Sequence, residues 1–391
     1  MLRARRRAVA ALVAVALALT ACSGAPPNDP VPPSRVPSAQ TSATPEAPAT
    51  PEVAATPDVA GWWHPAGEPE TLATRLAAPW SVVPLAEGGA LISQRDDGRV
   101  IELTPDGGRR EVGIVPGVVP GGEAGLHGLA VWANGAVTWL YAYHGAAGDN
   151  RVVRMPLTGD AGGYGLGAAE VVFEGIARAG NHNGGRVAFG PDQMLYVATG
   201  DAGDRGSSQD PDSPNGKILR LTPAGDAAPG NPFGTAVWSL GHRNVQGLTW
   251  TSDGTMWASE FGQNTWDELN AIVPGGNYGW PDVEGGGGTG SFIDPVAQWP
   301  TDQASPSGIA AVGDTVFVTG LRGERLWIID TSGAAISGAP QAVLVGAQGR
   351  LRDAAAAPDG SLWVLTNNTD GRGSPRPEDD LLLRLAMTPA S

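Results

Sequence analysis

Short runs of alternating apolar and polar residues, each opened by a turn, recur through most of this 391-residue chain. Ala86-Glu87-Gly88-Gly89 leads into Ala90-Leu91-Ile92-Ser93, and Ala133-Asn134-Gly135 into Ala136-Val137-Thr138-Trp139-Leu140. Pro191-Asp192-Gln193 precedes Met194-Leu195-Tyr196-Val197, and Ser252-Asp253-Gly254 precedes Thr255-Met256-Trp257-Ala258. Val312-Gly313-Asp314 and Pro358-Asp359-Gly360 open the last two units. Period-2 alternation behind a Gly or Asp turn predicts a β-hairpin each time. The turn positions Gly88, Gly135, Gln193, Gly254, Asp314 and Gly360 are separated by 47, 58, 61, 60 and 46 residues. No stretch keeps the 3.6-residue period that a long helix needs.

Hairpins at such regular intervals predict an all-β fold, a six-bladed β-propeller of four-stranded antiparallel sheets. The reason is burial: one small sheet cannot cover both of its faces, whereas blades in a ring cover one another. The last strand, Leu381 to Leu385, is then expected to close the ring with N-terminal strands in one blade. A seventh blade is allowed if one unit has lost its turn signal. A β-sandwich is the alternative that the spacing disfavours.

Gly (57) and Pro (34) together approach a quarter of the chain, which fits many turns and argues against a helical bundle. The formal charge of −15 argues against nucleic-acid binding. Lysine occurs once, at Lys217, so nearly all positive charge is arginine. Cys22 is the single cysteine, which excludes a disulfide framework and any cysteine-built metal site.

Arg3, Arg5, Arg6 and Arg7, the apolar run Ala8 to Leu19, and Leu19-Thr20-Ala21-Cys22 have the order of a secretory leader. Its end looks like a bacterial lipoprotein box. Residues 1–21 are therefore expected to be a signal peptide, with lipid on Cys22 anchoring an extracytoplasmic protein to a membrane. A transmembrane anchor is the alternative, but the apolar run is short for a span. Residues 22–60, rich in Pro, Ala, Ser and Thr, read as a disordered tether, and residues 61–391 as the propeller.

Loops on one propeller face converge on the axis, so polar residues flanking strands are the candidates for chemistry. Asn181-His182-Asn183-Gly184-Gly185-Arg186 places a histidine in a loop, and Asp201 follows one strand later. A general base needs a free ring nitrogen, with a carboxylate on the other nitrogen to fix its tautomer. A loop histidine bonding main-chain groups is the plainer reading. Gly122 to Ala130, Gly241-His242-Arg243-Asn244, Glu260 to Asn270, Gly276-Asn277-Tyr278-Gly279-Trp280-Pro281, Arg322 and Gly349-Arg350-Leu351-Arg352-Asp353 complete the set. Arg350 and Arg352 flank Leu351, so on a strand both face one side. Surface ion pairing is the ordinary role of such arginines. No Gly-rich dinucleotide fingerprint is present.

On these stretches, from Ala78-Pro79-Trp80 to Leu385, the chain resembles the soluble pyrroloquinoline-quinone (PQQ)-dependent sugar dehydrogenases, the glucose/sorbosone dehydrogenase family. The resemblance implies a six-bladed propeller that oxidises the C1 hydroxyl of an aldose to a lactone, passing electrons to a quinone or redox-protein acceptor. It implies that His182 takes the hydroxyl proton beside the cofactor and that Asp201 orients it. Arg243 and Asn244 would reach the quinone oxygens, while Arg322, Arg350 and Arg352 would hold cofactor carboxylates. Main-chain carbonyls of Gly262 and Gln263 would bind the catalytic Ca2+. Glu268 and Tyr278 match two ligands of a second, structural calcium, whose remaining ligands have no counterpart in Glu284 to Asp294. Glu123 stands near the cofactor where relatives often carry glutamine. His127 and His242 are not candidates for the base; His242 is expected to brace the Arg243 loop. Two other functions stay open: a non-catalytic propeller that binds sugar or protein, and a calcium-dependent lactonase, which would need a carboxylate-rich centre.

Overall fold

The computed structural model describes residues 60–135, 137–288 and 290–390. The leader, Cys22 and, apart from Ala60, the tether lie outside the described residues. Six antiparallel sheets follow one another along the chain. Their first strands are Pro79–Pro84, Leu126–Asn134, Val187–Phe189, Val245–Trp250, Pro306–Val312 and Leu351–Ala356. Each lies against the first strands of both neighbouring blades, so the six together form the inner wall of a propeller. No seventh sheet occurs among the described residues.

Every repeat visible in the sequence is the hairpin joining a blade's first strand to its second. Pro84 pairs with Ala90, Asn134 with Val137, Phe189 with Leu195, Trp250 with Met256, Val312 with Thr315 and Ala356 with Leu362. These turns need a left-handed residue, which glycine adopts without strain. In the fifth blade that residue is Gly313 (φ +59°) rather than Asp314. Asp314 instead accepts the Gly61 N–H at 2.8 Å and so fixes the start of the described chain.

The ring closes as the pattern implies. Trp63–Ala73 pairs antiparallel with Leu382–Pro389, placing the first strand at the outer edge of the last blade. Two blades exceed four strands: Gly165–Leu166 extends the second, and Gln341–Val343 pairs within the fifth. Hydrophobic packing is divided into six clusters, each shared by two adjacent blades. Leu91 and Leu140 meet between the first and second blades, for example, and Val316 and Trp257 between the fifth and fourth. The blades cover one another's faces, which is why none needs to be stable alone.

Near the axis the inner strands are joined by polar groups. Arg186 of the third blade forms an ion pair with Asp353 of the sixth at 2.9 Å, and its Nη1 donates to Ser81 Oγ of the first at 3.2 Å. Its Nε donates to the Gln246 carbonyl of the fourth at 2.9 Å. The Arg186 guanidinium also lies over the Trp80 ring, 4.5 Å from its centroid.

Candidate functional site

In an antiparallel blade, the loop entering the first strand and the loop leaving the second lie at the same end. The repeat turns lie at the other. Glu123, His182, Arg243, Asn244 and Arg350 come from entering loops, and Arg95, Asp201, Gly262, Gln263, Arg322 and Asp370 from leaving loops. At that end of the axis all of these but Asp201, which lies behind His182, line a cavity of about 430 Å³. Trp80, Gln246 and Arg352, from the inner strands, also line it.

His182 has a left-handed backbone (φ +54°), which costs a non-glycine residue strain and here is held from both sides. Its N–H donates to Glu123 Oε2 at 3.0 Å, and its carbonyl accepts from Ala202 N–H at 3.1 Å. The ring bridges Asp201 Oδ1, 2.7 Å from Nδ1, and Arg243 Nη2, 2.8 Å from Nε2. A guanidinium has no lone pair to offer, so Nε2 must be the acceptor; Nδ1–H then donates to Asp201. This is the neutral tautomer that a base requires.

Asp201 is fully buried and also accepts from Trp280 Nε1 at 2.9 Å and Gly203 N–H at 2.8 Å. Burial opposes its ionisation, but the His182, Gly203 and Trp280 donors outweigh burial and hold the carboxyl below its usual range. Trp280 belonged to the motif around Tyr278, yet its indole contact with Asp201 had no signal in the sequence.

The arginines are arranged in two groups. Burial lowers Arg243 from its ordinary value, and Asp201 and Glu260 work against the decrease. Its Nη1 donates to the Phe261 carbonyl at 3.1 Å. As expected, His242 braces this loop: it bridges Glu260 (2.8 Å) and Ser239 (2.9 Å), and Glu260 accepts the Arg243 N–H. Arg350 precedes the strand Leu351–Ala356 rather than lying in it, yet it and Arg352 both reach Asp370, at 2.9 and 3.5 Å. Burial pushes the Arg352 guanidinium down to about 9, so it remains charged at neutral pH. Arg322 is exposed at the rim and has no ion pair among the described residues.

Asn244 Oδ1 accepts from Gly184 N–H at 2.9 Å, leaving its amide N–H groups as what it can offer the cavity. Glu123 is held by Arg372 at 2.8 Å as well as by His182, so this carboxylate positions the histidine's main chain. His127 does not line the cavity: its Nε2 meets the Glu123 main-chain carbonyl at 2.8 Å, and burial lowers it to about 3.

Gly262 and Gln263 line the cavity, and their N–H groups are taken by Asp267 Oδ1 (2.9 Å) and Glu284 Oε1 (2.6 Å). Their carbonyls accept no hydrogen bond among the described residues. A Cβ at Gly262 would lie 1.7 Å from the Trp266 carbonyl, so only glycine fits this approach. Glu268 and Tyr278 come together beside Glu260 and Glu284 around a smaller void behind Arg243. Burial and the neighbouring Glu260 push Glu268 well above the usual carboxylate range. Among the described residues no group of three or more His, Cys, Asp or Glu is arranged to hold a metal, so any cation here would depend on carbonyls.

Arg95, Asp370 and Arg372 were not anticipated from the sequence. The first residues after each second strand are where a systematic search would have found Arg95. With them, six arginines and three carboxylates line the cavity, a net charge of +3 in a protein whose total is −15.

Comparison with known proteins places the whole propeller in one family. The family described as Glucose / Sorbosone dehydrogenase matches residues 76–384. An aldose sugar dehydrogenase of Escherichia coli (strain K12) is 28% identical over 346 residues, covering 77% of this chain and 90% of that protein. An uncharacterized protein of Synechocystis is 30% identical over 368 residues, covering 78% of this chain and 86% of that protein. The PQQ-bound form of an aldose sugar dehydrogenase from Streptomyces coelicolor superposes with a TM-score of 0.79 at 51% identity, covering 85% of this chain and 100% of that one. A match running from the first blade to the last, over a cavity built by the loops just described, means that this chain belongs to the glucose/sorbosone dehydrogenase family.

Proposed function

We propose that this protein is a PQQ- and calcium-dependent dehydrogenase that oxidises the C1 hydroxyl of aldoses to lactones. The observation that carries the reading is the His182 ring, fixed as a neutral acceptor by Asp201 and Arg243 in a cationic cavity. The residues present fit the cofactor. Buried Nε atoms of Arg243, Arg350 and Arg352 have no partner among the described residues, and such orphaned donors call for an acceptor. A tricarboxylate supplies acceptors and matches the cavity's net charge, and arginine is the side chain suited to paired contact with carboxylates. The free carbonyls of Gly262 and Gln263 suit Ca2+, a hard ion that takes oxygen ligands.

When bound, PQQ supplies the two-electron acceptor for the hydride leaving C1, and calcium supplies Lewis-acid polarisation. His182 Nε2 takes the hydroxyl proton, and the resulting imidazolium is stabilised by ionised Asp201 at 2.7 Å. Protonation removes the lone pair that Arg243 uses, so its guanidinium turns from His182 toward the cavity, where it can meet developing negative charge. Glu123 and Ala202 keep the histidine's main chain in place meanwhile. Glu268 and Tyr278 are proposed to take part in a second, structural calcium site. Electrons then pass to a quinone or redox protein.

The test is a titration of the purified protein with PQQ, with and without calcium, followed by absorbance and then by dye reduction on adding aldoses. Calcium-dependent uptake and aldose-dependent reduction are expected. Uptake without reduction by any aldose would favour a binding propeller, and failure to take up PQQ would remove the proposal.

The leader and Cys22 motivate a further part of the reading, a lipid-anchored extracytoplasmic protein. Gly61 is held at the Asp314 turn, so the chain enters the propeller at the end opposite the cavity. Cys22→Ser is expected to move the protein from the membrane to the soluble fraction; unchanged membrane retention would refute lipid anchoring.

A further inference from the structure

The one lysine of the chain has no part in the chemistry above, yet it is fully buried against the site's supports. Lys217 opens the strand Lys217–Leu221 and directs its ammonium into the loop that runs from Asp201 to Gly216. Nζ donates to three main-chain carbonyls: Ser207 at 2.6 Å, Asn215 at 2.8 Å and Ser208 at 3.0 Å. No carboxylate pairs with it among the described residues. A buried charge without a counter-ion is costly and persists only when its donors are satisfied. Three tetrahedral N–H groups match three carbonyls converging on a point, which a planar guanidinium cannot do. That accounts for lysine at this position in a chain that otherwise uses arginine.

The three carbonyls belong to segments that reach the catalytic groups. Ser207 and Ser208 lie in a 3₁₀ turn, Arg205–Ser208, that begins four residues after Asp201. Ser208 Oγ donates to the His242 carbonyl at 2.7 Å, next to Arg243. The Asn215 side chain donates to the Gly200 carbonyl at 2.9 Å and accepts from Ala177 N–H at 2.8 Å, at the base of the His182 loop. One ammonium thus ties together the backbone before Arg243, the backbone around Asp201 and the approach to His182.

We propose that Lys217 is a positioning residue, whose ammonium holds the loop from Asp201 to Gly216 and so keeps Asp201 and Arg243 in register with His182. The proposal rests on the base assigned above, but the hold itself exists without cofactor. Burial pushes Lys217 down to about 8, with Asp210 favouring the charged form. The elements packed around it also carry Asp201, Asp204, Arg205 and Asp212 in the same loop, Arg220 on its own strand, and the His242–Glu260 pair on the next blade. Loss of the proton leaves two N–H donors for three carbonyls, so the loop loosens as pH rises through that value.

A chain with one lysine permits a direct experiment. Full-length protein carrying 13C at the lysine ε-carbon gives one lysine resonance, and 15N labelling of tryptophan gives the Trp280 indole signal, assigned with Trp280→Phe. Trp280 Nε1–H donates to Asp201, so its shift reports where that carboxylate lies. In cofactor-free protein, the lysine signal is expected to titrate with a midpoint of about 8 rather than the ordinary value of about 10.4, and the Trp280 signal to move with the same midpoint. Lys217→Met should place the Trp280 signal at its high-pH position at every pH and lower kcat about 10- to 100-fold. A Trp280 signal that ignores the lysine titration overturns the proposal, as does a Lys217→Met protein with the wild-type Trp280 signal. If Lys217→Met fails to fold, the wild-type titration decides alone. Because these signals need no PQQ, a wrong cofactor assignment would leave the result readable.

Discussion

His182→Ala is expected to lower kcat for aldose oxidation about 100- to 10,000-fold while PQQ uptake persists, the range typical of losing a positioned general base. The prediction depends on how the ring is held. Asp201 at 2.7 Å fixes Nδ1–H, and Arg243 at 2.8 Å marks Nε2 as the acceptor facing the cavity. Removing the ring takes away the proton acceptor but leaves Arg350, Arg352, Asn244 and the Gly262 and Gln263 carbonyls in place. Binding and chemistry should therefore separate. Asp201→Asn tests the second half of the pair. The amide keeps the shape but loses the charge that stabilises the imidazolium, so kcat should fall with KM little changed. Stopped-flow reduction of the bound cofactor measures both variants. A His182→Ala protein with near wild-type kcat would remove the residue from its assigned role.

The fold was legible because its signal is local and repeated. Each blade's first hairpin carries its own turn residue and alternation, so six similar segments announced six sheets. Those hairpin turns, however, lie at the end of the propeller remote from the cavity. The site is built from the less regular loops at the other end, which lack periodicity. His182, Arg243, Arg350 and Arg352 were found there because each lies in a distinctive short motif. Arg372, in a polar loop without such a motif, was invisible until the ring brought it within 2.8 Å of Glu123. Trp280 reaches Asp201 from 79 residues away, and nothing local marks the pairing. Closure of a ring juxtaposes residues far apart in the chain, and single-sequence patterns do not carry that information.

The same reasoning singles out Asp353, the last residue of the Arg350-Leu351-Arg352-Asp353 stretch, as a keystone rather than a ligand. Its Oδ2 accepts from Arg186 Nη1 at 3.0 Å and from Val82 N–H at 2.9 Å, and Arg186 Nη2 forms an ion pair with Oδ1 at 2.9 Å. It thereby joins the sixth, third and first blades across the axis. The fifth blade is close as well: a Cβ at Gly308 would lie 1.8 Å from Asp353 Oδ1, so that approach requires glycine. Burial raises the Asp353 carboxyl, and Arg186 opposes the increase. Such a pair adds little net stability when formed, because both charges lose water, but removing one partner leaves the other charge buried alone. Asp353→Ala strands the Arg186 guanidinium beneath the cavity floor and is expected to cost about 3–5 kcal/mol. Urea unfolding would show this as a lower midpoint with an unchanged slope. Replacing Arg186 and Asp353 together by Met and Leu should recover most of the loss, since no unpaired charge remains. If Asp353→Ala instead costs less than about 1 kcal/mol, the range of an exposed surface pair, then water reaches Arg186 and the axis is not the dry, cross-braced floor that this geometry describes.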